Sequence, residues 1–318
     1  MRQWSLVNDR IVDAGIDVPH LGVPYQHILE GKVDVLPKAF DGWFPFTRMC
    51  NSIGDWGIIS GIFEAMKTKY PKIKLGVPSE DYLNTVLSPM NFKTWNYNKD
   101  WDTSHNLELI IKNNPYIDFR FNKEQFDIVY TDHDRAYDEI EEPLAEQIVK
   151  RFGFTNDDLS KIDLRPKMYF TDEEINISKH IVSENNMDWG DYGCLLLASR
   201  VDEYKSQWKG DDVVIPYIEK YKNTKVFCYS GWEVDGTFWN ELFPNRTKFD
   251  DIPMRIQLCI KYFAKFNIGY QAGITDSITG GKSDIITITP YTSLKVNFIR
   301  GVQYVYLDGR SRKSNIYK

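Results

Sequence analysis

Short apolar runs alternate along this chain with segments of helical periodicity. A first strand is predicted at 42–50 (GWFPFTRMC), although Pro45 weakens it because proline has no amide hydrogen to donate. The next segment places apolar residues three and four positions apart, which predicts a helix with one buried face that ends before Pro71. The strand KIKLGVP (72–78) follows, so residues 46–78 are predicted to form a strand–helix–strand unit.

The same alternation continues along the rest of the chain. A strand at 126–134 precedes a helix that begins near Pro143, and Thr171 with Glu174 has the spacing of a capping box that opens a further helix. Helices at 211–222 and 252–266 are interspersed with predicted strands at 191–200, 225–231, 267–274, 283–290 and 302–308. This order is typical of an α/β protein with mostly parallel sheets, in which ligands bind beyond the carboxyl ends of the strands.

The length of 318 residues predicts two domains. We expect an N-terminal domain at 1–168 and a C-terminal domain at 169–318, because an extended, proline-marked segment precedes the capping box. Residues 1–40 are predicted to be an irregular extension, since Pro19, Gly22, Pro24, Gly31 and Pro37 punctuate short apolar pieces there.

Composition and charge narrow the function classes. A net charge of −6 provides no general attraction to nucleic acid or to an anionic membrane, and the basic tail at 309–318 is expected to be a solvated terminus. The four cysteines are scattered, which predicts reduced thiols and no disulfide framework or zinc site. No export signal or membrane span is visible, so we expect a cytoplasmic protein.

Asp55 stands at the predicted turn from the first strand into its helix, in the stretch NSIGDW. One interpretation is that its carboxylate caps the helix, whose free amide groups and positive end favour an anion. The other is general-base catalysis: Gly54 permits a tight turn, and a carboxylate at the strand ends could deprotonate a hydroxyl. The residue types alone leave both interpretations open.

Four segments resemble, in the same order, those of the ADP-heptose:lipopolysaccharide heptosyltransferase family (glycosyltransferase family 9). NSIGDWGIISGIFEAMKTKYPKIKL (51–75) is similar to that family's first strand–loop–helix–strand, with its S-x-G-D turn and a helix that ends in Tyr-Pro. FDIVYTDHD (126–134), LLLASRVDEYKSQWKGDDVVIPYIEKY (195–221) and IKYFAKFNIGYQAGITDSI (260–278) match its next strand, the opening of its second domain and its donor loop. The resemblance spans roughly residues 42–290.

The resemblance implies a GT-B fold of two facing Rossmann-like domains, with the acceptor on the first and a nucleotide-sugar on the second. It assigns the catalytic base to Asp55 and the acceptor side to Ser52, Gly54 and Trp56. It assigns donor binding to two segments whose residues are Ser199, Arg200 and Lys205, then Gly269, Gln271, Ala272, Gly273 and Asp276. Cations there would offset charge on the departing nucleoside diphosphate, and glycines would permit close approach to phosphate. Neither a metal nor a cofactor is implied.

The chain departs from the family pattern at two donor-loop positions. The Asp of the family's D-T-G motif is replaced by Gln271, and its loop His by Asp276. These changes are compatible with a protein that binds a nucleotide or a glycan without catalysis.

A strand that ends in D-x-D is the metal-binding signature of the unrelated GT-A glycosyltransferases. Asp132 and Asp134 follow this pattern, and both could hold a divalent cation because side chains two residues apart on an extended chain point the same way. An acidic loop that caps the next helix explains the same residues. The five histidines have no metal-ligand spacing.

The sequence therefore predicts a glycosyltransferase that moves a sugar from a nucleotide-sugar to a hydroxyl by metal-independent, inverting displacement. The expected acceptors are a glycan, a lipid-linked glycan or another hydroxyl compound. Three alternatives stay open: transfer to a modified nucleic-acid base, a metal-dependent GT-A enzyme that uses Asp132 and Asp134, and a non-catalytic binding protein. The nucleic-acid alternative requires Arg310, Arg312 and Lys313 to gather at the active site.

Overall fold

The computed structural model describes residues 4–7, 10–13, 43–47, 53–83, 106–122, 130–131, 143–196, 211–228, 237–249, 252–270, 283–289, 301–306 and 311–313. The chain divides into two compact units, one drawn from Met1–Leu164 and the other from Arg165–Leu294 and Ile299–Ile316. The division falls at Leu164, and the domain junction near residue 168 stays a prediction.

The first unit contains a four-stranded parallel sheet, in the order β5-β4-β3-β6, and an antiparallel pair, β1 with β2. Its strands are β1 (Trp4–Val7), β2 (Arg10–Asp13), β3 (Trp43–Thr47), β4 (Lys74–Pro78), β5 (Phe119–Phe121) and β6 (Tyr130–Thr131). Its helices are α1 (Ile53–Ile59), α2 (Ile62–Lys69), α3 (Glu80–Tyr82), α4 (Asn106–Ile111), α5 (Leu144–Arg151) and α6 (Asn156–Lys161).

The prediction that residues 1–40 are irregular is wrong where β1 and β2 form a hairpin. The two strands contain aromatic and β-branched residues, which favour extended backbone. Only Asn8 and Asp9 separate the strands, and these residue types favour tight hairpin turns. The prolines and glycines that guided the prediction all follow the hairpin.

The helix predicted after Asp55 is present but interrupted. It consists of α1 and α2, separated by Ser60 and Gly61, where the Ser60 hydroxyl donates a hydrogen bond of 2.7 Å to the carbonyl of Gly57. As predicted, α2 ends before Pro71. Both helices bury an apolar face, and Phe63 of α2 contacts Phe46 of β3.

Aromatic rings fill the core of the first unit. Phe44 and Phe46, two positions apart on β3, each contact the ring of Phe152 edge-on, at centroid distances of 5.0 and 6.1 Å. Phe46 also meets Phe63 of α2 at 6.3 Å. The strand predicted through Pro45 is confirmed: β3 is paired with β4 at Pro45, and its described pairing with β6 begins at the next residue.

The second unit is built on a seven-stranded sheet in the order β13-β12-β11-β10-β7-β8-β9. Its helices are α7 (Asp172–Glu184), α8 (Asp211–Ile218), which continues as a 3-10 turn (Glu219–Tyr221), α9 (Thr237–Leu242) and α10 (Met254–Phe263). Its strands are β7 (Gly193–Leu196), β8 (Val226–Cys228), β9 (Arg246–Lys248), β10 (Phe266–Tyr270), β11 (Asp284–Thr289), β12 (Val302–Tyr306) and β13 (Ser311–Lys313). All neighbours are parallel except β12 and β13.

Two hydrophobic clusters cover the two faces of this sheet. One contains Leu195 and Ile268 of the sheet with Val214 of α8 and Trp239 of α9. The other contains Cys194 and Phe227 of the sheet with apolar residues of α7 and α10. Neighbouring residues of β7 therefore belong to opposite clusters, as expected for a parallel sheet that is buried on both faces.

The predicted solvated tail is corrected at residues 311–313, which form the edge strand β13. Antiparallel pairing with β12 places Arg312 opposite Tyr304 and Lys313 opposite Gln303. The pairing offers the backbone hydrogen bonds that a free terminus lacks, which charge patterning alone does not indicate.

A buried ion pair joins α7 to α10. The Arg255 Nε lies 3.0 Å from Oε1 of Glu174, and the two side chains are only 10% and 11% exposed. Glu174 also closes the predicted capping box, since its carboxylate accepts a hydrogen bond from the Thr171 amide. The guanidinium further donates to the carbonyl of Tyr169 and lies 4.4 Å from the ring centroid of Phe170. Arg255 thereby holds the segment that enters α7.

Three cysteines are free thiols within the described residues. Cys194 and Cys259 are buried, and burial raises the pKa of their thiols to about 12 and about 11. Cys228 is half-buried at the end of β8, and Cys50 lies outside the described residues. None of the helices in the described part of the chain is long and apolar enough to cross a membrane.

Replacing Arg255 with Met should lower the free energy of unfolding of the second unit by about 3–5 kcal/mol, because Glu174 would remain as an unpaired buried carboxylate. The further change Glu174→Gln should restore part of the loss by removing that charge. Urea denaturation followed by circular dichroism measures both effects. Lys265→Met is the matched control, since its partner Asp191 is exposed. Equal losses in Arg255→Met and Lys265→Met would contradict a stabilising role for the buried pair.

Iodoacetamide at pH 8 should label Cys228 well before Cys194 and Cys259. The raised pKa of each buried thiol keeps it protonated at this pH, and burial also blocks access. Mass spectrometry of peptides from the native protein gives the order, with denatured protein as the control in which all thiols react. Rapid native labelling of Cys194 would show that this core is open to solvent.

Candidate functional site

The strand order of the second unit indicates a candidate position for a ligand. Counted along the chain, its six parallel strands are arranged 3-2-1-4-5-6, the order of the Rossmann fold. The order reverses between β7 and β10, which are paired in parallel with Gly269 opposite Leu196. Sheets of this kind bind ligands beyond the carboxyl ends of the strands at such a switch point.

Both predicted donor-binding segments leave the sheet at this switch point. The chain continues from β7 at Leu196 towards Ser199, Arg200 and Lys205. It continues from β10 at Tyr270 towards Gln271, Ala272, Gly273 and Asp276. These seven residues lie outside the described residues, and Gly269 is buried within β10. The topology thus gives two segments that are far apart in sequence a common starting edge.

The first unit repeats part of this order. Counted along the chain, β5-β4-β3-β6 is the arrangement 3-2-1-4, so its switch point lies between β3 and β6. The chain leaves β3 at Thr47 and enters α1 at Ile53. Asp55 lies in the first turn of α1, near the carboxyl edge of the sheet, as predicted.

The residues on either side hold Asp55 in place. Gly54 and Trp56 are buried, and the Trp56 side chain is fully enclosed, while Asp55 is half-buried. A carboxylate in a first helical turn is stabilised by the positive end of the helix, so the capping and catalytic interpretations share one geometry. Ser52, also predicted for the acceptor side, lies outside the described residues.

The D-x-D residues Asp132 and Asp134 follow β6 directly in sequence and lie outside the described residues. Within the described ranges, no group of three His, Cys, Asp or Glu side chains is placed to hold a metal ion.

A polar cluster at the carboxyl edge of β4 and β5 was not predicted from the sequence. We call Ser79, Glu80, Glu108, Arg120 and Asn122 the edge cluster. Ser79 follows β4 and Asn122 follows β5, and the Ser79 hydroxyl donates a hydrogen bond to the Asn122 amide oxygen. The available signal was a polar residue directly after each strand, but β5 is three residues long and was not predicted.

Arg120 is the only cation of the edge cluster. One of its guanidinium nitrogens, Nη2, lies 2.9 Å from Oε1 of Glu108, and Glu80 is close enough to act on its charge. Burial lowers the pKa of Arg120, while the carboxylates of Glu108 and Glu80 act in the opposite direction. Glu80 also accepts a hydrogen bond from the backbone amide of Glu108, at 3.4 Å.

Comparison of the sequence with protein-family models and with curated proteins gave no match. Among solved structures, the chain is similar to the crystal structure of a glycosyl transferase family 9 protein from Veillonella parvula, with a TM-score of 0.53 and 11% identity over 84% of this chain and 86% of that one.

Two structures of the E. coli heptosyltransferase WaaC, one with ADP-2-deoxy-2-fluoro heptose and one with ADP, match with TM-scores of 0.37. Their identities to this chain are 11% and 12% over 76% of it, and the match covers 87% and 86% of those chains.

The fold is of the GT-B type. The likeness to the Veillonella structure and the two Rossmann-like strand orders confirm the fold class predicted from the sequence: α/β, with mostly parallel sheets. At 11% identity the likeness extends to the fold and no further.

Proposed function

We propose that this protein is a glycosyltransferase that moves a sugar from a nucleotide-sugar to an acceptor hydroxyl. The observation that carries the proposal is the switch point between β7 and β10, from which both predicted donor-binding segments depart. The glycosyl transferase family 9 fold supports it. The carboxylate of Asp55 at the matching edge of the first unit supplies a candidate base.

The proposed reaction is a single in-line displacement. The acceptor oxygen forms a bond to the anomeric carbon as the bond from that carbon to the diphosphate oxygen breaks, which inverts the anomeric configuration. The hydroxyl proton passes to Asp55, and the electron pair of the broken bond leaves with the nucleoside diphosphate. Arg200, Lys205 and backbone amides of the 269–277 segment stabilise the charge on this leaving group. No metal is required.

A non-catalytic binding protein is the second candidate, because Gln271 and Asp276 replace the acidic residue and the histidine of the family's donor loop. The nucleic-acid alternative has less support. In the second unit, β13 with Arg312 and Lys313 is three strands away from β10, at the edge of the sheet. A basic surface at the switch point is what phosphate contacts would need.

A nucleoside diphosphate that occupies the switch point should raise the melting temperature by several degrees near saturation, because it binds the native form alone. The panel is ADP, UDP, GDP and TDP, measured by differential scanning fluorimetry. Lys205→Met should abolish most of the shift. Lys265→Met removes an equal charge just before β10, at the opposite edge of the sheet, and should leave the shift intact. No shift with any nucleotide would oppose the proposed function.

The change Asp55→Asn should lower the turnover number for sugar transfer by about 10²–10⁴-fold, the usual contribution of a general base. Asparagine has nearly the same size as aspartate and keeps a side-chain oxygen in the first turn of α1, so this variant removes the base with little change in shape. Asp172→Asn, a first-turn carboxylate on α7, is the matched control and should transfer sugar normally.

Transfer is followed by mass spectrometry with a panel of nucleotide-sugars and acceptors, with and without EDTA. Normal turnover of Asp55→Asn would contradict the role of Asp55 as the base. Loss of turnover in EDTA would favour the metal-dependent alternative. Nucleotide binding without transfer or hydrolysis of any donor would favour the binding protein.

A further inference from the structure

The edge cluster lies at the same edge of the first sheet as Asp55. Ser79 and Asn122 directly follow the carboxyl ends of β4 and β5, and β4 pairs with β3, whose chain leads into α1. Helix α4, which carries Glu108, packs against α1, which carries Asp55. The cluster and the candidate base therefore lie at the same edge of one sheet, on elements that are paired or packed together.

The charge of the edge cluster argues against an anionic ligand. Its single cation, Arg120, is already compensated by Glu108 at 2.9 Å and by Glu80. With two carboxylates and one guanidinium the cluster has a formal charge of −1. A carboxylate or phosphate brought to Arg120 would also meet the two glutamates, whose repulsion cancels the attraction at similar distances.

The hydrogen-bonding groups of the cluster suit hydroxyl groups instead. Carboxylate oxygens accept, the guanidinium donates, and the hydroxyl and amide of Ser79 and Asn122 do both, while a sugar hydroxyl also donates and accepts. The side chains of Arg120 and Glu108 are 33% and 41% exposed, so a ligand can reach them. Nη1 of Arg120 is buried and has no hydrogen-bond partner within the described residues.

We propose that the edge cluster is a binding subsite for a neutral glycan, with Arg120 and Glu108 as its central contacts. Its role as the acceptor subsite rests on the proposed function, because it assumes that a hydroxyl of the same glycan meets Asp55. Two strand spacings, about 10 Å, separate β5 from β3. An acceptor that contacts both positions extends beyond a single sugar ring, so the expected acceptor is a neutral oligosaccharide or a neutral glycan chain on a carrier.

A purely structural role for the cluster predicts a different outcome. The ion pair also joins α4 to the edge strand β5, and replacing Arg120 could loosen that contact without any effect on a ligand. The test therefore combines variants that differ in their structural cost. Arg120→Met and Glu108→Gln remove the ion pair, and Asn122→Ala alters an exposed side chain just after β5. Lys72→Met is the matched control, an exposed cation in the turn before β4 at the opposite edge of the sheet.

Saturation-transfer-difference NMR with the full chain measures binding without any donor. The probes are the neutral disaccharides maltose, cellobiose, lactose and mannobiose, with digalacturonate as the anionic comparison. At least one neutral disaccharide should bind, and digalacturonate should bind more weakly. Arg120→Met and Glu108→Gln should each weaken the neutral ligand about tenfold, Asn122→Ala severalfold, and Lys72→Met not at all. Melting curves identify any variant that loses its fold.

The outcomes separate this proposal from the proposed function. No binding of any neutral disaccharide, stronger binding of digalacturonate, or affinities unchanged in folded Arg120→Met and Asn122→Ala would overturn the glycan subsite, even where nucleotides still stabilise the protein. Binding that depends on Arg120 together with no stabilisation by nucleotides would uphold the subsite and oppose the transferase. In that case the protein is a glycan-binding protein.

Discussion

The close approach of two strands that are distant in sequence is the constraint on which the second unit depends. Gly193 opens β7 and lies opposite Phe266, which opens β10. A Cβ atom on Gly193 would lie 2.1 Å from the Phe266 ring, so a larger residue would push this ring out of the core. The ring itself stacks on Tyr221 at 4.0 Å. Glycine at this one position lets β7 and β10 pair, and their pairing creates the switch point.

The first unit contains the same kind of contact between a glycine and a phenyl ring on paired strands. Gly76 of β4 lies opposite Phe119 of β5, and a Cβ atom there would also lie 2.1 Å from the phenyl ring. This contact aligns the two strands whose carboxyl ends carry the edge cluster. In both units, then, an aromatic ring packs over the glycine that lies opposite it on the paired strand.

Several elements were predictable because each depends on local signals. The end of α2 before Pro71, the capping box of Thr171 and Glu174, and the strands β4, β7, β8, β10, β11 and β12 all follow from short-range patterns. The strands that were missed are short or lie at edges. β5, β9 and β13 have three residues each, contain basic side chains, and are extended because a neighbouring strand supplies hydrogen bonds. The sequence pattern of one segment does not indicate which other strand will pair with it.

The sequence by itself determined the class of fold, the succession of strands and helices, and the position of Asp55 at the start of a helix after the first strand of the sheet. These properties follow from hydrophobic periodicity, capping residues and prolines, which act over a few residues. Only the tertiary structure decided the strand orders, the two switch points, the ion pair of Arg255 with Glu174, and the edge cluster around Arg120. Each of these joins residues far apart along the chain, and such contacts form only when the whole sheet assembles and buries its apolar faces.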